Sequence, residues 1–343
     1  MNNITTIGID LAKLVFALHG VDETGKAVLI KPRVSRDQLS TIVAQLPPCL
    51  IGMEACSGAH HWARLFSQHG HTVKLMAPKF VTPYRMAGKR GKNDANDAAA
   101  ICEAVTRPTM RFVPIKDEDQ QSVLTLHRVR QGFIEERTAS YNRLRGLLAE
   151  FGIVLPQSVD RLRHQIGDHL DQLPIMVKQC IIDLLHHTDT LTTHIDAYDH
   201  RIKTAAKQDI RSQQLMQLAG IGPTTASALV ASIGNGHDFK NGRQLAAWLG
   251  LVPGQYSSGG KARLGRITKA GDAYLRSLLV LGARSVLNSR QGKQDGFSRW
   301  ALNLHERRGY WKAVIAIAAK NARLIWAVLH YGESFTAPSM KIS

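Results

Sequence analysis

The chain has 343 residues, 44% of them hydrophobic, and carries a formal charge of +17 from 44 Lys and Arg against 27 Asp and Glu. That length suits two or three domains, and that apolar content excludes a disordered chain. The positive excess favours polyphosphate partners, nucleic acid first, while no apolar run approaches the roughly 20 residues that span a bilayer.

The best apolar run, "AVIAIAA", is cut by Lys320, so no membrane partner is expected. The opening "MNNITTIGID" lacks the basic-then-apolar pattern of a signal peptide. Cys49, Cys56, Cys102 and Cys180 are scattered, with no CxxC pair. Neither a zinc ribbon nor a disulfide framework is supported, and a reduced cytoplasmic setting fits.

In chain order, residues 4–9 and 14–21 read as strands, "DETG" as a turn and "KAVLIKPRV" as a third strand. "RDQLSTIVAQL" is helical, "CLIGME" a short buried strand, "GAHHWARLFSQHG" a helix closed by Gly70, and "TVKLMAP" another strand. Three meandering strands followed by alternating helix and strand predict a mixed sheet with helices on its faces. A basic, glycine-punctuated loop, "GKRGKN", leads into the alanine-rich helix "DANDAAAICEAV".

From about 117 to 205 the strand patterns fade. Val129, Phe133, Tyr141, Leu144, Leu148 and Phe151 recur at helical spacings. Leu184, Leu191, Ile195, Tyr198 and Ile202 step by 7, 4, 3 and 4, as a heptad seam does. With "GIVLPQS" as the break, this predicts an antiparallel helical hairpin, either a coiled-coil spacer or part of an ordinary bundle. Leu191 and Ile195 are expected to need a partner surface. Beyond 210, "LAGIGPTTASALVASIG", "FKNGRQLAAWLGLVPG", "DAYLRSLLVLGARSVL" and "GYWKAVIAIAAKNARLIWAVLHY" read as further helices and their turns.

Two constellations carry chemistry. Asp10 and Glu54 end strands, and Asp94 and Asp97 sit three apart on one helix face. Four carboxylates converging at one end of a sheet would suit divalent ions, Mg²⁺ or Mn²⁺, for phosphoryl chemistry. Each has an ordinary structural use as well: Asp10 at a turn, Glu54 paired with a lysine, Asp94 as an N-cap. Lys89, Arg90 and Lys92 just upstream suit either phosphate contact or a solvated loop.

The second constellation is "PGQYSSGGKARLGR". A serine beside Gly259 and Gly260, with Lys261, Arg263, Arg266 and the later Lys269 to neutralise a phosphodiester, could attack phosphorus and hold the strand covalently. A plain surface loop is the competing reading. Gly220 and Gly222 in "GIGPTT" place exposed amides at a helix start, where phosphate binds. That turn is similar to a helix-hairpin-helix turn, with an ordinary helix-turn-helix as the alternative.

Taken in order, "IGIDLAK", "MEACSG", "KNDANDA", "GIGP", "GLVPGQYSSGGK" and "GRITKAGDAYLR" resemble the DEDD transposases of the IS110 family over about residues 4–335. The "SSGGK" form resembles its IS1111 subgroup, and the Piv site-specific invertases are relatives. The resemblance implies a RuvC-like domain of ribonuclease-H fold over 1–112, a helical coiled-coil spacer over 113–208, a mainly helical transposase domain over 209–335 and a tail over 336–343. It implies metal-holding, catalytic Asp10, Glu54, Asp94 and Asp97, and a nucleophile at Ser258 with Ser257 as its competitor. It further implies donor and target DNA, a structured non-coding guide RNA, and a homo-oligomer, dimer or tetramer, whose active sites draw on different subunits. The setting implied is prokaryotic, cytoplasmic and nucleoid-associated. A metal-only RuvC-like nuclease or junction resolvase, and a non-catalytic nucleic-acid-binding protein, are the competing functions.

Overall fold

The computed structural model describes residues 4–85, 93–257, 263–289 and 295–333. The chain divides into two compact units, Met1–Glu118 and Asp119–Ser343.

In the first unit, β1 (Thr6–Asp10), β2 (Val15–Val21) and β3 (Ala27–Ser35) form an antiparallel meander. Ser35 and Gln38 then cap α1 (Arg36–Ala44) reciprocally, each side chain bonding the other residue's amide. β4 (Leu50–Glu54), α2 (Ala59–Gln68), β5 (Thr72–Met76), the single turn α3 (Pro78–Val81), α4 (Asp94–Val105) and β6 (Phe112–Val113) follow. The sheet order is β3-β2-β1-β4-β5-β6, with β4 parallel to both β1 and β5. This is the mixed sheet that the order of elements predicts.

Strand composition decides the faces. Ile7 and Ile9 of β1 and Ile51 and Met53 of β4 pack with Leu39, Val43, Trp62 and Phe66 of α1 and α2. The alternate residues of the same strands turn the other way. There Met76, Ala100, Ile101, Ala104 and Val105 form a separate cluster beneath α4.

The second unit is mainly helical. α5 (Glu118–Ala149), α6 (Val159–His169) and α7 (Ile175–Gln208) come first. α5 and α7 run antiparallel, held by Arg130–Asp199 at 2.7 Å, Arg137 Nη1 donating to Thr192 at 3.1 Å, and Phe133 against His194 and Tyr198. The hairpin is more elaborate than the periodicity predicts. Leu162 and Ile166 of α6 pack into Tyr141, Leu144, Leu148 and Ile181, closing its far end. Leu191, Ile195 and Ile202 are buried within this one chain. They need no partner, which corrects that expectation. Among the exposed large apolar side chains of the described residues, Val154, Ile175 and Met176 stand out at the same far end.

α8 (Ile210–Leu215), α9 (Pro223–Ile233), α10 (Gly242–Trp248), the paired strands β7 (Pro253–Gln255) and β8 (Leu264–Ile267), α11 (Ala273–Asn288), α12 (Gly296–Arg308) and α13 (Tyr310–Tyr331) complete the unit. By length and composition α13 is apolar enough to cross a membrane, although Lys320 breaks its longest apolar run. In the fold it is the core helix. Val314, Ile317, Ala318, Ile325 and Leu329 are buried against α10, α11 and α12.

His127 of α5 ties three helices together. Its Nδ1 lies 2.9 Å from the Tyr274 hydroxyl of α11, and its Nε2 lies 2.9 Å from Ser227 Oγ of α9. Burial, aided by the nearby Arg130 charge, lowers its pKa from 6.5 to about 4. A base whose folded pKa is depressed contributes stability above its unfolded pKa, and that stability is lost as pH falls towards the folded value. Melting curves between pH 7 and pH 4 should therefore show a loss of up to about 3 kcal/mol from this residue, mostly between pH 6.5 and 4. His127→Gln should be less stable at pH 7 and lose less over that interval. An equal loss in both proteins would remove His127 as the source.

Candidate active site

β1 ends in "GID" and β4 in "GME", so each strand carries a glycine two residues before its carboxylate. Two residues is one strand period, so glycine and carboxylate share a face. Gly8 and Gly52 are register partners in the parallel β1–β4 pair. α4 lies directly over them. A Cβ at Gly8 would collide with the Ala98 carbonyl oxygen and the Cys102 amide, and one at Gly52 would stand 2.8 Å from Val105 Cβ. Alanines on the helix and glycines on the strands thus bring the helix backbone down onto the sheet, with its first turn at the strand ends.

That first turn carries Asp94 and Asp97. The N-cap is Asn93, whose side chain accepts from the Asn96 amide at 2.8 Å, so Asp94 is not spent on capping. Both aspartates gain from the helix dipole at this end. Asp10 feels every member of the set. Its pKa is raised to about 6, first by burial and then by the charges of Asp97, Asp94 and Glu54, against a lowering by Arg85. Glu54 is also raised, by burial first, with Arg85 opposing and Asp97 adding.

Arg85 is the partner that the sequence reading missed. Its Nη2 donates to Glu54 Oε1 at 2.8 Å, and its Nε lies 3.0 Å from Asp97 Oδ1. Glu54 is thus paired, but with an arginine and not a lysine. The visible signal was position: Arg85 follows β5, the strand beside Glu54's own. Cys56 was also passed over. Burial, then the charges of Glu54 and Asp10, raise its thiol pKa, which places it in the same field.

The donor set is all oxygen, carries more negative charge than Arg85 balances, and raises the pKa of its most central member. Those are properties of a site that takes a hard divalent cation. Among the described residues, no group of three or more His, Cys, Asp or Glu side chains is arranged to hold an ion; charge and donor chemistry, not preformed coordination, make the fit.

The serine stretch belongs to the second unit. β7 and β8 pair antiparallel on either side of it in sequence, with the Tyr256 amide bonded to the Arg263 carbonyl at 2.9 Å. Ser257 is exposed, and its Oγ accepts from Gln255 Nε2 at 2.8 Å. Arg263, Arg266 and Lys269 are exposed, and Lys269 takes a left-handed backbone with φ 53°. Ser258 and Lys261, like Lys89, Arg90 and Lys92, lie outside the described residues.

The glycine turn divides its two glycines. Gly220, at φ 83°, packs backbone to backbone against Gly282 of α11, so its place is set by packing. Asn321, buried on α13, donates to the neighbouring Ala219 carbonyl at 2.9 Å. Gly222 is open to solvent at the start of α9, with Pro223 at the first helical position.

Comparison with known proteins gives two family matches. The profile of an IS110-type DEDD transposase family, described as "Transposase", matches residues 7–153, and that of "Transposase IS116/IS110/IS902 family" matches residues 212–297. A "Probable family 20 transposase" of Pseudomonas aeruginosa is 45% identical over 95% of this chain and 97% of its own. The "Transposase for insertion sequence element IS1111A" of Coxiella burnetii is 40% identical, over 98% of this chain and 92% of its own. The "Transposase for insertion sequence element IS1328" of Yersinia enterocolitica is 39% identical, over 98% and 100%.

The seating of α4 is directly testable. Gly8→Ala should cost about 3 kcal/mol, the upper end of overpacking, because backbone and not a flexible side chain meets the new methyl. Gly132→Ala, on the exposed side of α5 with nothing within 4 Å, should instead stabilise by about 0.5–1 kcal/mol. Denaturant unfolding measures both. A neutral Gly8→Ala would mean that α4 is not held against β1.

Proposed function

The chain belongs to the IS110 family of transposases, enzymes of DNA strand cleavage and transfer, and from that premise we propose that its acidic sheet end and its serine stretch are two parts of one recombination chemistry. The observation that carries the reading is the delivery of Asp94 and Asp97 onto the strand ends that bear Asp10 and Glu54. The sheet order, with a meander followed by parallel strands and α4 across the centre, supports a RuvC-like domain of ribonuclease-H fold. The second unit, on this reading, comprises the spacer and a transposase domain whose α9 turn is of helix-hairpin-helix type.

Asp10, Glu54, Asp94 and Asp97 would hold the divalent cation, Mg²⁺ or Mn²⁺. When bound, the ion supplies charge stabilisation at the scissile phosphate and lowers the pKa of an attacking hydroxyl. Ser258 is the nucleophile. Its Oγ bonds to phosphorus while the bond from phosphorus to one deoxyribose oxygen breaks. The serine gives up its proton and the departing oxygen takes one up. A hydroxyl from another strand later reverses the exchange, so bond energy is conserved and DNA is joined instead of merely cut. Arg263, Arg266 and Lys269, with Lys261, neutralise the backbone. Lys89, Arg90, Lys92 and the open amides at Gly222 supply further phosphate contacts.

Target choice resides in a structured non-coding RNA whose loops pair with donor and target DNA. The +17 charge supports an RNA partner as well as DNA. The working form is a homo-oligomer, and the open apolar Val154, Ile175 and Met176 support assembly through the far end of the hairpin.

The test is covalent capture. Labelled DNA should remain attached to denatured wild-type protein in the presence of Mg²⁺ and cognate RNA. Ser258→Ala should abolish the adduct while DNA and RNA binding persist. Ser257→Ala should retain substantial activity. Asp10→Asn should stop cleavage in a folded protein. Phosphate mapped to Ser257 would exchange the serine roles, and an adduct on Tyr256 would replace them. Metal-dependent cleavage without any adduct would make this a metal-only nuclease. Altering a guide loop should move the integration site, and unchanged targeting would remove the RNA from the mechanism.

A further inference from the structure

We propose that Arg85 is a resident counter-ion of the acidic site, which a divalent cation must displace before it can use Glu54 and Asp97. The proposal rests on the reading of these carboxylates as the metal-holding set.

The first ground is competition for the same atoms. Arg85 Nη2 donates to Glu54 Oε1 at 2.8 Å, and Nε stands 3.0 Å from Asp97 Oδ1. One guanidinium therefore spans a strand-end carboxylate and a helix carboxylate, which are the two elements an ion would bridge. A small divalent cation demands carboxylate oxygens at about 2.0–2.1 Å in near-octahedral geometry. A guanidinium lying between those oxygens denies both the space and the lone pairs, and its own charge repels the ion.

The second ground is that Arg85 fits the site imperfectly. Its Nε is buried, yet among the described residues no acceptor lies in line with its N–H, and the approach to Asp97 is ionic without a well-aimed hydrogen bond. Its single positive charge also stands against four carboxylates, and it contacts only Glu54 and Asp97 of them. A well-made structural ion pair would satisfy its donors.

The third ground is a way out. The Arg85 side chain is 36% exposed, against 12% for Glu54 and 17% for Asp97. The carboxylates are fixed by strand and helix, whereas the arginine lies just past a 3₁₀ turn, its amide bonded to the Thr82 carbonyl. Rotation about its side-chain bonds suffices to leave, with no change in the backbone. The guanidinium, the more exposed partner in each pair, has solvent to move into when an incoming ion takes the carboxylates.

A fixed strut that aligns Glu54 and Asp97 for the metal would show the same contacts but respond oppositely to removal. The experiment is Mn²⁺ binding to the full chain without nucleic acid, followed by the paramagnetic resonance signal of free Mn²⁺. It compares wild type, Arg85→Gln, Arg85→Ala, Arg85→Lys and Asp10→Asn. Displacement predicts that the glutamine and alanine variants bind Mn²⁺ about three- to tenfold more tightly, with lysine between them and wild type. It also predicts that their metal-free melting temperature at pH 7 falls and that Mn²⁺ restores it. Unchanged or weaker binding in both Arg85→Gln and Arg85→Ala overturns the proposal, while tight wild-type binding weakened by Asp10→Asn leaves the metal site intact. If wild type and Asp10→Asn bind alike, the reading of the site itself fails, and this proposal with it.

Discussion

The contact between α4 and the centre of the sheet governs the first unit. Gly8 and Gly52 stand side by side on β1 and β4, and the helix above them presents Ala98, Cys102 and Val105. No side chain on either strand keeps the two backbones apart. Because strands alternate, the residues two beyond those glycines are Asp10 and Glu54, on the same face. The close seating of the helix and the convergence of the carboxylates are therefore one packing fact. Ile7, Ile9, Ile51 and Met53, one residue out of phase, build the opposite core and hold the strands in register.

Electrostatics follow from that packing. Bringing carboxylates together at a half-buried strand end costs free energy unless a cation answers them, and the raised pKa of Asp10 is the local sign of the cost. Arg85 answers in part. The arrangement sets folding against function, since good packing of α4 enforces repulsion among the residues it delivers. Tolerating such repulsion is common at functional sites, where groups are shifted from their ordinary pKa by their surroundings. The second unit solves a different problem. His127, Ser227 and Tyr274 satisfy one another in its interior, and Gly220, Gly282 and Asn321 lock the turn before α9 onto α11 and α13.

Much of this was legible in the sequence, for identifiable reasons. Period-two patterns and short buried runs gave the strands of the mixed sheet, and the ends of those strands placed Asp10 and Glu54. Apolar spacings of three and four gave the long helices. What escaped were features set by tertiary contact. Whether Leu191 and Ile195 face a partner or their own chain depends on where α5 lies, and a heptad seam looks the same in either case. The membrane reading of α13 turned on an unbroken-run criterion, yet length and mean apolarity qualify it, and only its packing reveals a core helix. β7 and β8 are too short and too exposed to leave an alternating pattern. Arg85 is one cation among many in a basic chain, and its place after β5 marks it only once that strand is known to lie beside β4.

The central claim is that Gly8 and Gly52 seat α4 so that Asp10, Glu54, Asp94 and Asp97 form one cation-binding site. Anomalous diffraction from crystals of the full-length protein grown with Mn²⁺ measures it most directly. The account predicts manganese density enclosed by these four carboxylates at the C-terminal ends of β1 and β4, with Ala98 still resting on Gly8. Manganese bound elsewhere, or an α4 lifted from the sheet with its aspartates turned to solvent, would contradict it.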